Sequence, residues 1–204
     1  MSDINIHGIF PTPVFEKHLN RVFTKKEIDF VDKQQHKCVE NLGNVYTKDK
    51  YILNKKELKY IKKFIEQSCN EYLINVLNPK KNIELYVTQS WINYTNKQGY
   101  HKPHTHQNSF ISGVFYFKAN EMNDKITFYK NEHPFIANQP KQFNVFNSTS
   151  WWVSVKPAQL LMFPSSLMHG VDLKEDDSER VSLAFNTFLK GSLGHNDDLN
   201  ELIL

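Results

Sequence analysis

The sequence predicts a mainly β, α+β fold in which N-terminal helices precede one β-rich unit, and three observations predict it. After residue 82, short runs rich in β-branched and aromatic residues follow one another: IELYVTQSWINY, SFISGVFYF, KITFY, QFNVF, WWVSV, AQLLMF and RVSLAFNTFL. Asn, Pro, Asp and Gly punctuate these runs, which is the chemistry of turns. Apolar residues at helical spacing occur upstream of them, not between them. Strands in such number without crossover helices make a sandwich or an open barrel.

The elements follow in order. Residues 8–16 (GIFPTPVFE) mix apolar residues with two prolines and read as an extended segment or edge strand. Thr24 to Glu27 has the spacing of a capping box and opens a polar helix predicted to reach about residue 41. Asn54 to Glu57 repeats that spacing with Asn as cap. Leu58, Ile61, Ile65, Tyr72, Leu73 and Val76 then form one apolar stripe, up to the stop at Asn78-Pro79. That face should pack against a sheet. The tail GSLGHNDDLNELIL is polar and then apolar; docking back and joining a homodimer contact both stay open. With no repeat, linker or low-complexity tract, the expectation is one domain over 1–204, helical over about 24–78 and β over about 82–190.

Composition bounds the function classes. A chain of 204 residues, 40% hydrophobic and 13% aromatic, can bury a proper core. Its net charge of +3 comes without a basic block, so nucleic acid is not expected as a partner. No apolar run approaches the roughly 20 residues of a membrane span. Cys38 and Cys69, both in stretches read as helical, are expected as free thiols, and the location as cytoplasmic. Of 25 basic residues only Arg21 and Arg180 are arginines. Lysine cannot reproduce a planar two-pronged donor, so each arginine invites a question.

The chemistry-bearing residues start with His101-Lys-Pro-His104-Thr-His106. Residues two apart in an extended segment point to the same side, so His104 and His106 can converge on one ion. Downstream, the apolar run from Leu160 ends in a Pro-Ser turn followed by His169-Gly170, which places an imidazole beside a residue without a side chain. Eleven residues later comes Arg180-Val-Ser182. As a strand, it presents Arg180, Ser182, Ala184 and Asn186 on one face and Val181, Leu183 and Phe185 on the other. An arginine with a serine two residues on makes a compact carboxylate receptor. The plain alternative is a surface arginine paired with Glu179 or Asp177.

The combination of His-x-His, a distant His and Arg-x-Ser resembles the iron(II)/2-oxoglutarate-dependent oxygenases. More narrowly, the blocks His104–Tyr116 and Lys156–Val171, with the opening Ile9-Phe-Pro-Thr-Pro-Val14, are similar to a small group of bacterial and phage oxygenases with a prolyl-hydroxylase-like core. The resemblance implies a double-stranded β-helix (jelly-roll, cupin-like) core. It implies iron(II) on His104, His106 and His169, the distal carboxylate of the co-substrate 2-oxoglutarate on Arg180 and Ser182, and a hydrogen bond from Tyr116 to the same co-substrate. It also implies hydroxylation of a small-molecule or peptide substrate, using O2 and releasing succinate and carbon dioxide. Trp91 and Asn93, or else Tyr94, would line the pocket, with Asn186. One departure is that His106 stands where the superfamily usually has an acid. Two other readings compete. A three-His cupin-type dioxygenase or isomerase leaves Arg180-x-Ser182 without a task, and a non-catalytic β-sandwich binding module leaves three motifs to coincidence.

Overall fold

The computed structural model describes residues 4–130 and 139–204. Strand β1 (Phe15–His18) is followed by helix α1 (Lys25–Gln34), the hairpin of β2 (Cys38–Asn41) and β3 (Asn44–Thr47), and helix α2 (Lys59–Tyr72). The β core then runs through β4 (Ile83–Thr95), β5 (His101–His104), β6 (Ile111–Lys118), β7 (Lys125–Tyr129) and β8 (Ser150–Ser154). It continues with β9 (Gln159–Pro164), β10 (His169–Val171), β11 (Arg180–Leu193) and β12 (Leu202–Ile203). The larger sheet has the order β1-β9-β6-β11-β4-β3-β2, with β12 on β11; the smaller has β5-β10-β7-β8. Every strand pair is antiparallel. The two sheets form the jelly-roll core expected of the fold.

The stripe on α2 explains how the larger sheet is held. Ile61, Phe64, Ile65, Cys69 and Tyr72 are buried on one face of that helix. They join Ile92, Tyr94, Phe115, Phe117, Leu183 and Phe185 in one apolar cluster. Burying each such side chain contributes roughly 1.5–3 kcal/mol. Phe185 crosses over its strand partner Gly113, where a Cβ would come within 2.1 Å of the ring. A second cluster, with Val114, Ile126, Phe128, Leu161 and Phe163, fills the space between the sheets. Among the described residues no helix is long and apolar enough to cross a membrane.

Several local expectations need correction. The capping box at Thr24 and Glu27 is present, with both hydrogen bonds made. The helix that it opens nevertheless ends at Gln34, and Cys38 lies in β2, not in a helix. Pairing of β3 with β4 draws this polar stretch into the sheet, and tertiary pairing outweighs its weak helical preference. The tight turn at Leu42-Gly43, with Gly43 at φ +88°, was the local signal of that hairpin. Asn54 does not cap α2; its side chain accepts from the ammonium of Lys62 at 2.9 Å. Here Leu53 is buried and its N–H donates to Ser90 Oγ at 2.9 Å, which ties the chain into two short 3-10 turns before α2 begins. Residues 142–146 form no strand. Asn144 Oδ1 accepts from the N–H groups of Phe146 and Asn147, and this side-chain turn competes with a ladder. The tail docks back, as β12 pairs Ser192 with Ile203 and Leu193 with Leu202.

Candidate metal centre and its cavity

Strands β4, β6 and β11 turn alternate residues away from α2, toward the smaller sheet. The cleft there, ≈ 610 Å³ including its mouth, is lined by Trp91, Asn93, Thr95, Tyr116, Arg180 and Ser182, with the histidines. His104 ends β5, His106 follows it, and His169 opens β10, whose Cα faces that of His104 in the ladder. Gly170 is required beside it, since a Cβ there would meet the His101 carbonyl at 2.9 Å. His106 is fixed through its backbone, its N–H donating to the carbonyl of Ser165 at 2.9 Å.

The three rings gather at one point. A donor nitrogen from each of His104, His106 and His169 lies within 4.8 Å of the others, and Nε2 of His106 is 3.3 Å from Nε2 of His169. The 3.3 Å pair already lies within the roughly 4 Å that two imidazole nitrogens, each about 2.0–2.1 Å from one ion, can span. The carbonyl of Leu167 lies 2.9 Å from Nδ1 of His169, and that of Lys102 lies 2.8 Å from Nδ1 of His104. A carbonyl only accepts, so Nδ1 carries the proton in both rings and Nε2 keeps its lone pair for a cation. Burial pushes His169 down to about 3 and His106 down to about 4, so both rings are neutral near pH 7 and able to ligate. The donor set therefore fits a divalent transition metal. Phe163 and Phe128 pack beside His169, with ring centroids at 4.5 and 6.4 Å, and screen that side of the centre from water.

Across the cleft the arginine is buried, with 5% of its side chain exposed. Glu179 is held by Gln35 and Lys118, and Asp177 by Lys97, so neither is its partner. Its nearest carboxylate is Asp124, at 3.6 Å, and among the described residues no hydrogen bond reaches its guanidinium. Burial lowers the Arg180 pKa from its usual value, opposed by the nearby Tyr116, Asp124 and Asp176. Ser182 and Tyr116 are partners across the β6–β11 ladder, so both stand beside the arginine. Burial raises the Tyr116 pKa, leaving a neutral phenol as donor.

The remaining predicted residues divide between the faces. Trp91 and Asn93 line the cleft, and Trp91 lies 6.1 Å from the His106 ring. Tyr94 does not line it; strand alternation turns it to the helix side, where its hydroxyl donates to the carbonyl of Val31. Asn186 is also set back from the lining residues and accepts from Ser112, which does line the cleft, at 3.0 Å. Sequence reasoning left His101 unassigned and missed Asn44, Thr95, Asp124 and Lys174. His101 and Asn44 line the cleft, and burial lowers His101 to about 4. His133 falls outside the described residues. Asn44 enters through the hairpin that was not foreseen, and no local motif marks Asp124 or Lys174.

Comparison with known proteins gives a consistent picture. Residues 89–186 match the family model described as "Putative 2OG-Fe(II) oxygenase". That stretch runs from β4 to β11 and contains all three histidines, Arg180 and Ser182. HygX from Streptomyces hygroscopicus, solved with nickel, 2-oxoglutarate and hygromycin B, shares the fold. It has a TM-score of 0.55 at 11% identity, over 86% of this chain and 82% of that one. A Pseudomonas putida prolyl-4-hydroxylase has a TM-score of 0.57 at 9% identity, over 86% and 92% of the two chains. The epimerase SnoN, in complex with Fe3+, alpha ketoglutarate and nogalamycin RO, has a TM-score of 0.60 at 8% identity, over 87% and 79%. No curated protein matches the chain in sequence.

Proposed function

We propose that this protein is an iron(II)- and 2-oxoglutarate-dependent oxygenase that hydroxylates a small-molecule or peptide substrate. One observation carries the reading. Three imidazoles converge on a point in the same cleft where, among the described residues, no hydrogen bond reaches a buried arginine. The family match over the β core and the ligands of the solved fold relatives support it.

In this reading His104, His106 and His169 hold the iron, with the carbonyls of Lys102 and Leu167 fixing the orientation of two of the rings. Arg180, Ser182 and Tyr116 hold the distal carboxylate of 2-oxoglutarate by a two-pronged guanidinium and two hydroxyls. When bound, iron and 2-oxoglutarate supply oxidation of a C–H bond by O2, coupled to loss of carbon dioxide and formation of succinate. Phe128 and Phe163 limit water at the centre, while Trp91 and Asn93 present an aromatic face and an amide to the incoming substrate. Three imidazoles in place of two and a carboxylate leave the centre one unit more positive, which strengthens its hold on an anionic keto acid.

Anaerobic addition of iron(II) and then 2-oxoglutarate tests this. The expected result is a weak visible charge-transfer band of a chelated keto acid, with succinate formed when oxygen is admitted. Iron binding without the band would favour a cupin-type enzyme that uses no keto acid; absence of both would leave a binding module. His169→Ala should weaken metal binding by about 100-fold or more, since even an outer partner of a ligand is worth 10–100-fold. Arg180→Lys should leave metal affinity intact and weaken 2-oxoglutarate about tenfold, one point charge replacing a fork. Unchanged keto-acid affinity in that variant would remove Arg180 from the site.

A further inference from the structure

Arg180 is not the only buried cation behind the cleft. Lys174 has 1% of its side chain exposed and donates to Asp124 Oδ1 at 3.0 Å, to both oxygens of Asp176 and to Ser178 Oγ. Asp124, also buried, has its other oxygen bound to the N–H of Asn120 at 2.8 Å. Both carboxylate oxygens are therefore occupied by partners other than the arginine. A free aspartate beside a guanidinium forms a two-pronged pair; here the contact stops at 3.6 Å. The lysine itself is anchored through its backbone, its N–H donating to the Gly99 carbonyl and its carbonyl accepting from Gln98.

We infer that Lys174 is a positioning residue which occupies Asp124 and so keeps the fork of Arg180 open for the carboxylate of an incoming ligand. The inference rests on the proposed role of Arg180 as keto-acid receptor. Without the lysine, Asp124 would turn its free oxygen to Arg180 and compete with the ligand from inside the protein. The buried acid near the receptor is then harmless only while it is shared. This gives opposite signs to two substitutions that a purely structural role would make alike. Removing Lys174 should harm binding, and removing Asp124 should not, because Lys174 keeps Asp176 as its counter-ion.

Calorimetric titration of 2-oxoglutarate into nickel-loaded protein reads the effect without turnover. Lys174→Met should raise the Kd for 2-oxoglutarate tenfold or more while leaving nickel affinity within about twofold. Lys174→Met combined with Asp124→Asn should return the Kd to within about threefold of wild type, and Asp124→Asn alone should bind at least as tightly as wild type. A double variant as weak as the single one would overturn the inference, as would loss of affinity in Asp124→Asn. Should Lys174→Met fail to fold, the Asp124→Asn arm still decides. Wild-type protein that takes up nickel but no 2-oxoglutarate would instead overturn the functional reading, and this inference with it.

Discussion

Strands β4, β6 and β11 each carry two faces, and the faces are chemically unlike. Toward α2 they present Ile92, Tyr94, Phe115, Phe117, Val181, Leu183 and Phe185, all buried in one apolar cluster. Toward the cleft the alternate positions are Trp91, Asn93, Thr95, Tyr116, Arg180 and Ser182. Both sets are largely shielded from solvent, so burial alone does not separate them. Satisfaction does. On the helix side the buried polar group of Tyr94 has its partner, the Val31 carbonyl. On the cleft side a buried charge has none among the described hydrogen bonds. The three strands thus carry two unlike faces: one holds the fold together, and the other, in the proposed function, keeps a buried cation open to a ligand.

The largest expected effect on folding comes from the helix side. Leu183→Ala removes a fully buried side chain from the cluster between α2 and the sheet. The cost should be about 2–5 kcal/mol, read from urea unfolding. At a concentration of denaturant where the variant is folded, 2-oxoglutarate and metal affinities should stay near those of wild type. A selective loss of ligand binding with unchanged stability would show that the faces are not independent.

A second buried charge sharpens the contrast. Glu27 is 1% exposed, yet every oxygen is used: Oε1 accepts from Arg21 at 2.6 Å, and Oε2 from Arg21 and from the backbone of Thr24. Burial alone would raise its pKa, but the hydrogen bonds from Arg21 and Thr24 prevail and hold the carboxyl below its ordinary value. A depressed acid stabilises the fold above its unfolded pKa, near about 4.3, and that contribution is lost as pH falls through the folded value. Glu27→Gln should cost about 1–3 kcal/mol at neutral pH. The gap between the variant and wild type should close as pH falls below about 4, as followed by thermal unfolding.

This difference between used and unused charge also explains what was legible in the sequence. Period-two alternation placed Arg180 and Ser182 opposite Val181, Leu183 and Phe185, because a strand has only two sides. The α2 stripe and the Asn78-Pro79 stop were equally plain, since helix periodicity is local. The hairpin at 38–47 was not, because its stability comes from pairing with β4, some fifty residues away. Asp124 and Lys174 were likewise hidden. They meet across |i−j| = 50, in stretches that look like solvated turns, and only the closed sandwich makes them buried partners.

The smallest expected effect on stability is the one that tests the comparison most directly. Replacing one member of a buried ion pair is ordinarily costly, about 3–5 kcal/mol, because the abandoned charge stays in the protein. Arg180→Met abandons nothing of that kind: Asp124 retains Lys174 and the Asn120 N–H, and its contact with the guanidinium was long at 3.6 Å. The variant also removes a cation that burial disfavours, its side chain being only 5% exposed. Its stability should therefore lie within about 1 kcal/mol of wild type or above it, while 2-oxoglutarate binding is lost and nickel binding persists. A destabilisation of several kcal/mol would mean that the arginine holds the fold together as Glu27 does. The cleft face would then be scaffold, not receptor.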